Sequence, residues 1–146
     1  MTTSPTAPAP DVLASALAAE YAAVYAYGVV GAHVPDDRRG YVASALSSHR
    51  AARDWLRERI TAAGGEPPPA AGAYEVPAVD DPTAAAELAA AVELATVPRW
   101  SAVAGVVDRI DRPYCTSTAQ AAAVRAVTWG AGSEPFPGTR PTASGG

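Results

Sequence analysis

The chain has 146 residues, a formal net charge of −4 and a pI near 5.0, which excludes the basic surface that phosphate neutralisation needs and with it a nucleic-acid-binding role. Hydrophobic residues reach 49%, but Ala dominates them and there is one Phe and one Met, so the core must come from helices approaching closely on small side chains. A lone cysteine, Cys115, excludes an internal disulfide, and the absence of Lys among eleven basic residues reads as coding bias.

Residues 1–10 are Pro/Thr/Ala-rich and are expected to be a disordered segment; they have neither the basic nor the apolar region of a signal peptide. The first predicted helix runs from Val12 to His33, with Asp11 as N-cap and Val34-Pro35 as its stop. Leu13, Ala16, Leu17, Glu20, Val24, Tyr27 and Gly31 share one face of it, so a single acid sits in an apolar stripe. An ionised Glu20 there needs a partner, a metal or a proton. The segment is long enough to span a bilayer, but an acid near its middle costs roughly 2.5 to 3.5 kcal/mol on insertion. No membrane segment is therefore expected, and the protein reads as soluble and cytoplasmic.

Asp36 or Asp37 is the expected cap of the second helix, about Asp37 to Ala63, with Tyr41, Val42, Ala45, His49, Ala52, Leu56, Ile60 and Ala63 on its apolar side. His49 therefore points inward, and Arg50, Arg53, Arg57 and Arg59 read as a solvated face. Gly64-Gly65 supplies a left-handed stop. The proline-rich stretch up to Asp81 is longer than the roughly 2 to 8 residues that join neighbouring helices in bundles. Asp81 then caps a third helix with Pro82 at its first position, running to about Ile110 through an internal, bending Pro98. Ala covers so much of it that either Leu88/Val92/Ala95/Val103/Val106 or Glu93/Val97/Trp100/Ala104/Val107 can be its inward stripe. The fourth helix starts at Pro113 or at Ser117, the latter with a Ser-x-x-Gln box closed by Gln120, and ends near Trp129-Gly130. Residues 131–146 read as a Gly/Pro-rich tail with Phe136 as its anchored side chain. The ordered domain is thus residues 11–130.

The chain also resembles itself. With Glu20 set over Glu93, EYAAVYAYG and ELATVPRWS share the acid, Ala22/Ala95, Val24/Val97 and the aromatic pair Tyr27/Trp100. Two similar helix hairpins with one long link imply an all-α four-helix bundle in up-down-down-up order, with 64–81 as the crossover. Inward acids on the first and third helices and an inward His on the second resemble the ferritin-like superfamily. More narrowly, E-Y-x-x-V-Y-x-Y-G, S-x-H-R-x-x-R-D, A-A-V-R-A-x-x-W and the trailing F-P-G resemble an actinobacterial ferritin-like family of unknown function, DUF4439.

That resemblance implies a ligand set. Glu20 and Glu93 match the two single acids of a di-iron centre and His49 its first imidazole. The accompanying Glu is replaced by Leu46, and the 29-residue step from Glu20 to His49 leads from Glu93 to Ala122 instead of a second His. The expected metal set, Glu20, His49 and Glu93, is therefore degenerate. One reading is an inward ion pair or hydrogen bond between Glu20 and His49; another is a single weak metal site with Glu93; the third is no contact. No cofactor is expected under the first, and iron or manganese under the second. Tyr21, Tyr25, Tyr27, Trp55, Trp100 and Trp129 read as core or interface, His33 as a helix-end cation and Cys115 as a small buried hydrophobe. No nucleophile motif or phosphate loop is present, so a non-catalytic homodimer or partner-binding module, with Tyr21, Tyr25 and Trp55 at the interface, is expected before a metal oxidase or metal carrier.

Overall fold

A computed structural model describes residues 9–132. Within them lie α1 (Ala9–Gly31), α2 (Arg39–Ala62), α3 (Pro82–Val106) and α4 (Arg112–Thr128), and one 3₁₀ turn at Asp36–Arg38. Two apolar clusters show how the helices run. One joins Leu13 and Leu17 of α1 to Leu56 and Ile60 of α2, Trp100 and Val103 of α3, and Cys115 of α4. The other joins Tyr27 and Val30 to Val42 and Ala45, Leu88 and Ala89, and Trp129. The start of α1 thus lies beside the ends of α2 and α3 and the start of α4, which is the up-down-down-up bundle.

The crossover follows from the same geometry. α2 ends at one end of the bundle and α3 starts at the other, so 19 residues must travel about 38 Å, the length of a 25-residue helix. They run along α1: the Tyr21 hydroxyl donates to the Pro68 carbonyl at 2.9 Å, Tyr74 packs on Tyr25 with ring centroids 5.5 Å apart, and Val76 and Val79 join the second cluster. Gly64 adopts φ +85° and leaves α2 in the left-handed conformation expected of it. At the other hairpin, a Cβ on Gly31 would sit 3.3 Å from Val42 Cγ1, so the small residue allows α1 and α2 to approach closely.

Several boundaries differ from the sequence reading, each for a local reason. α1 starts at Ala9, inside the segment expected to be disordered, and Asp11 sits in the first turn, where its charge favours the helix dipole without capping. Neither Asp36 nor Asp37 caps α2; Asp36 pairs with Arg39 at 3.1 Å, and the chain enters the helix through the 3₁₀ turn. α3 stops at Val106, not Ile110, because the Asp108 carboxylate accepts the backbone N–H groups of Ile110 and Asp111 and turns the chain. Arg112 then donates to the Ala104 carbonyl, satisfying the helix end. α4 starts at Arg112 with Pro113 in its first turn, so the Ser117 box is not used. The tail after Gly132, with Phe136 and the F-P-G motif, and residues 1–8 lie outside the described residues.

Candidate functional site

The three residues singled out for metal chemistry meet midway between the two apolar clusters, and all are buried. His49 stands between the acids: Nδ1 is 2.6 Å from Glu20 Oε2 and Nε2 is 2.8 Å from Glu93 Oε1. Both ring nitrogens face carboxylate oxygens, so both donate and the ring is an imidazolium. Burial alone would lower its pKa, but hydrogen bonds and charge from Glu20 and Glu93 outweigh that and push it up to about 9.

Four further side chains complete the network. Trp100 Nε1 donates to Glu20 Oε1 at 2.6 Å, the Tyr27 hydroxyl to Glu93 Oε1 at 2.6 Å, and Trp129 Nε1 to the Tyr27 oxygen at 3.0 Å. Arg125 of α4 reaches the same Glu93 oxygen through Nε at 2.7 Å. Burial opposes ionisation of Glu93, yet the hydrogen bonds and charges of His49 and Arg125 prevail and hold its pKa below the usual range. Tyr27 is shifted upward, first by burial and then by Glu93, so it remains a donor. Two carboxylates, an imidazolium and a guanidinium cancel, which suits a low-dielectric interior.

The internal repeat explains the wiring. Tyr27 and Trp100 each follow their own acid by seven residues, but each bonds the acid of the other repeat, because α1 and α3 run antiparallel with Glu20 and Glu93 facing one another across His49. Leu46 packs against the second cluster and Ala122 is buried, so the two positions that read Leu and Ala in place of ligands serve as core. Arg125, one turn beyond Ala122, brings a cation to Glu93. Sequence reasoning gave Arg125 no role, although it lies with Trp129 in the A-A-V-R-A-x-x-W motif; an Arg in an otherwise small and apolar run was the available signal.

A pair of metals does not fit these residues. Both His49 nitrogens are committed as donors, no carboxylate is placed to bridge, and a guanidinium already occupies Glu93 Oε1. Glu93 Oε2 is buried without a partner among the described residues, but it is a single acceptor. Among the described residues no group of three His, Cys, Asp or Glu is arranged to hold a metal ion.

The other singled-out residues are elsewhere. His33 Nδ1 donates to the Val29 carbonyl at the end of α1, the helix-end role expected of it. The Cys115 thiol is fully buried, and burial pushes its pKa up to about 11. The arginine face is not uniformly solvated: Arg57 donates to the Tyr21 hydroxyl and Arg59 Nη2 to Asp111 at 3.0 Å, while Arg50 is exposed. Tyr21 and Tyr25 lie under the crossover, and Trp55 stacks on Tyr114 at 4.7 Å, so the face expected to form an interface is largely used within the chain. α1 is long and apolar enough to cross a membrane, but its Glu20 is tied into the bundle interior.

Bundle topology and the paired inward acids define a ferritin-like four-helix protein. The chain belongs to the family described as a Domain of unknown function (DUF4439), which it matches over residues 12–141. It is similar to a conserved hypothetical protein, rv2844, from Mycobacterium tuberculosis, at 35% identity and a TM-score of 0.79, covering 83% of this chain and 94% of that one. It also shares its fold with a ferritin-like, diiron-carboxylate protein from Bacillus anthracis str. Ames, at 20% identity and a TM-score of 0.63, covering 82% and 88% of the two chains. No curated protein matches the chain.

Proposed function

We propose that this is a non-catalytic ferritin-like bundle in which a fixed ion-pair network has replaced the di-metal centre, and that it acts by binding, as a cytoplasmic homodimer or partner-binding module. The observation that carries this reading is the double hydrogen bond of His49 to Glu20 and Glu93. A metal on His49 would have to take one proton from the imidazolium and replace one of its two carboxylate contacts, whereas the present arrangement satisfies both ring nitrogens and balances the charge. For the binding role, Leu94, Val124 and Val127 are 44, 65 and 47% exposed on α3 and α4, apolar area that a second copy or a partner would cover.

Elemental analysis of protein purified after iron and manganese supplementation tests the first half, with far less than two metals per chain expected. Stoichiometric metal that disappears in His49→Ala, with little change in the metal-free melting temperature, would instead make Glu20, His49 and Glu93 a ligand set and the protein an iron or manganese oxidase or carrier. Light scattering on a sizing column tests the second half. A dimer that dissociates in a Val124→Glu, Val127→Glu double variant is expected, and a strict monomer at high micromolar concentration removes the homodimer.

A further inference from the structure

The α2 and α4 backbones do not approach as closely as the other neighbouring helices, and the Trp55–Tyr114 stack and the Arg59–Asp111 pair bridge the gap between them. α1 packs against α2 and α3, and α4 packs against α3. Where α2 faces α4, small side chains including Ala51 and Ala121 leave a cleft of about 260 Å³ whose floor reaches Glu20 and His49. Ser117, Ala121 and Arg125 follow one another at four-residue steps along α4 and form one wall. Tyr114 lines the cleft one turn earlier, its ring held by stacking on Trp55, and Ser48 stands on α2.

Arg125 is used on one side only. Its Nε is bound to Glu93, while its two terminal nitrogens have no partner among the described residues and 15% of the side chain stays exposed. Those two nitrogens make the planar fork that matches a carboxylate. We propose that the cleft between α2 and α4 binds a small organic carboxylate, its oxygens held by the Arg125 fork and the Ser117 hydroxyl and its carbon skeleton lying on Ala51, Ala121 and the Tyr114 ring. The volume is below the roughly 300 to 1,000 Å³ of pockets for drug-sized ligands, which limits the skeleton to a short chain or a single ring. A single negative charge is preferred over a phosphate dianion, because the charge of Arg125 is already shared with Glu93 and that of His49 is spent on two acids.

This proposal rests on the ion-pair reading of the network. Its test is titration of the full chain, freed of metal with chelator, by butyrate and benzoate, with inorganic phosphate as the control. The readout is ¹⁵N NMR of the Arg125 Nε–H and the Ser117 amide. Saturable shifts with a Kd on the order of 1 mM are expected for ligands of this size. Ser117→Ala weakens binding severalfold. Ala121→Phe, a substitution at an exposed position that fills the cleft, abolishes saturation while the melting temperature stays unchanged. Absence of saturation in the wild type, equal shifts in Ala121→Phe, or phosphate binding as tightly as the carboxylates overturns the carboxylate site and leaves the network reading standing. Saturation that appears only after iron or manganese is added overturns both.

Discussion

His49 holds the centre because imidazolium presents two N–H donors at opposite ends of one rigid ring, and the antiparallel α1 and α3 place an acid at each end. No neutral side chain of that size does the same. Its removal leaves two buried carboxylates with Arg125 as their one remaining cation, so His49→Ala is expected to cost about 3 to 5 kcal/mol in urea unfolding. Tyr27→Phe removes one of three donors to Glu93 Oε1 and leaves the buried Trp129 Nε1–H without its acceptor, and should cost about 1 to 3 kcal/mol. A His49→Ala loss no larger than that of Tyr27→Phe would mean that the imidazolium is not the centre of the network. Glu20 and His49 were legible as inward polar residues, since each breaks an apolar stripe, whereas Glu93 lay on one of two candidate stripes and was placed inward by its match to Glu20. Arg125 was not legible, because a long side chain can start at the edge of a helix and still carry its charge inward, and spacing along the chain does not record reach.

At the scale of the helix, legibility followed polarity. α2 alternates apolar and charged faces, and six of its eight predicted inward residues, Val42, Ala45, His49, Ala52, Leu56 and Ile60, are buried. α3 has Ala on nearly every side, and its buried set draws on both candidate stripes: Leu88 and Val103 from one, Glu93, Val97, Trp100 and Ala104 from the other. A helix that contacts two neighbours needs two inward faces, which a single-stripe reading cannot express. Of the expected N-caps, Asp11 and Asp36 or Asp37 do not cap, whereas Asp81 does, its carboxylate accepting the Ala84 N–H at 2.7 Å. Asp81→Ala should therefore lower stability by about 1 kcal/mol. Gly64→Ala should cost a similar amount, about 1 kcal/mol, from backbone strain alone, since a Cβ there meets nothing within 4 Å. Thermal melts of the two variants check both values, and an unchanged Gly64→Ala melt would show that the crossover entry relaxes freely.

The whole molecule carries its charge balance in one place, and that gives its stability a direction in pH. His49 titrates near 6.5 in the unfolded chain and near 9 when folded. Its contribution is complete below pH 6.5 and is lost as pH rises through about 9, by roughly 3 kcal/mol for a shift of that size. Glu93 acts with the opposite sign: its folded pKa lies below the ordinary 4.5, so its contribution is complete above that value and is lost as pH falls through the folded one. Stability should be greatest on the mildly acidic side of neutrality. Cys115, Tyr27 and Tyr114 are also raised when folded, but their ordinary midpoints of 9.0, 10.0 and 10.0 lie at or above the top of this interval, so the decline from 6.5 to 9 is chiefly that of His49. Urea unfolding at a series of pH values should show the decline across that interval in the wild type and its absence in His49→Ala. A wild-type stability that is flat from pH 6.5 to 9 would mean that the ring is held neutral, and with it the ion-pair account of this bundle would fail.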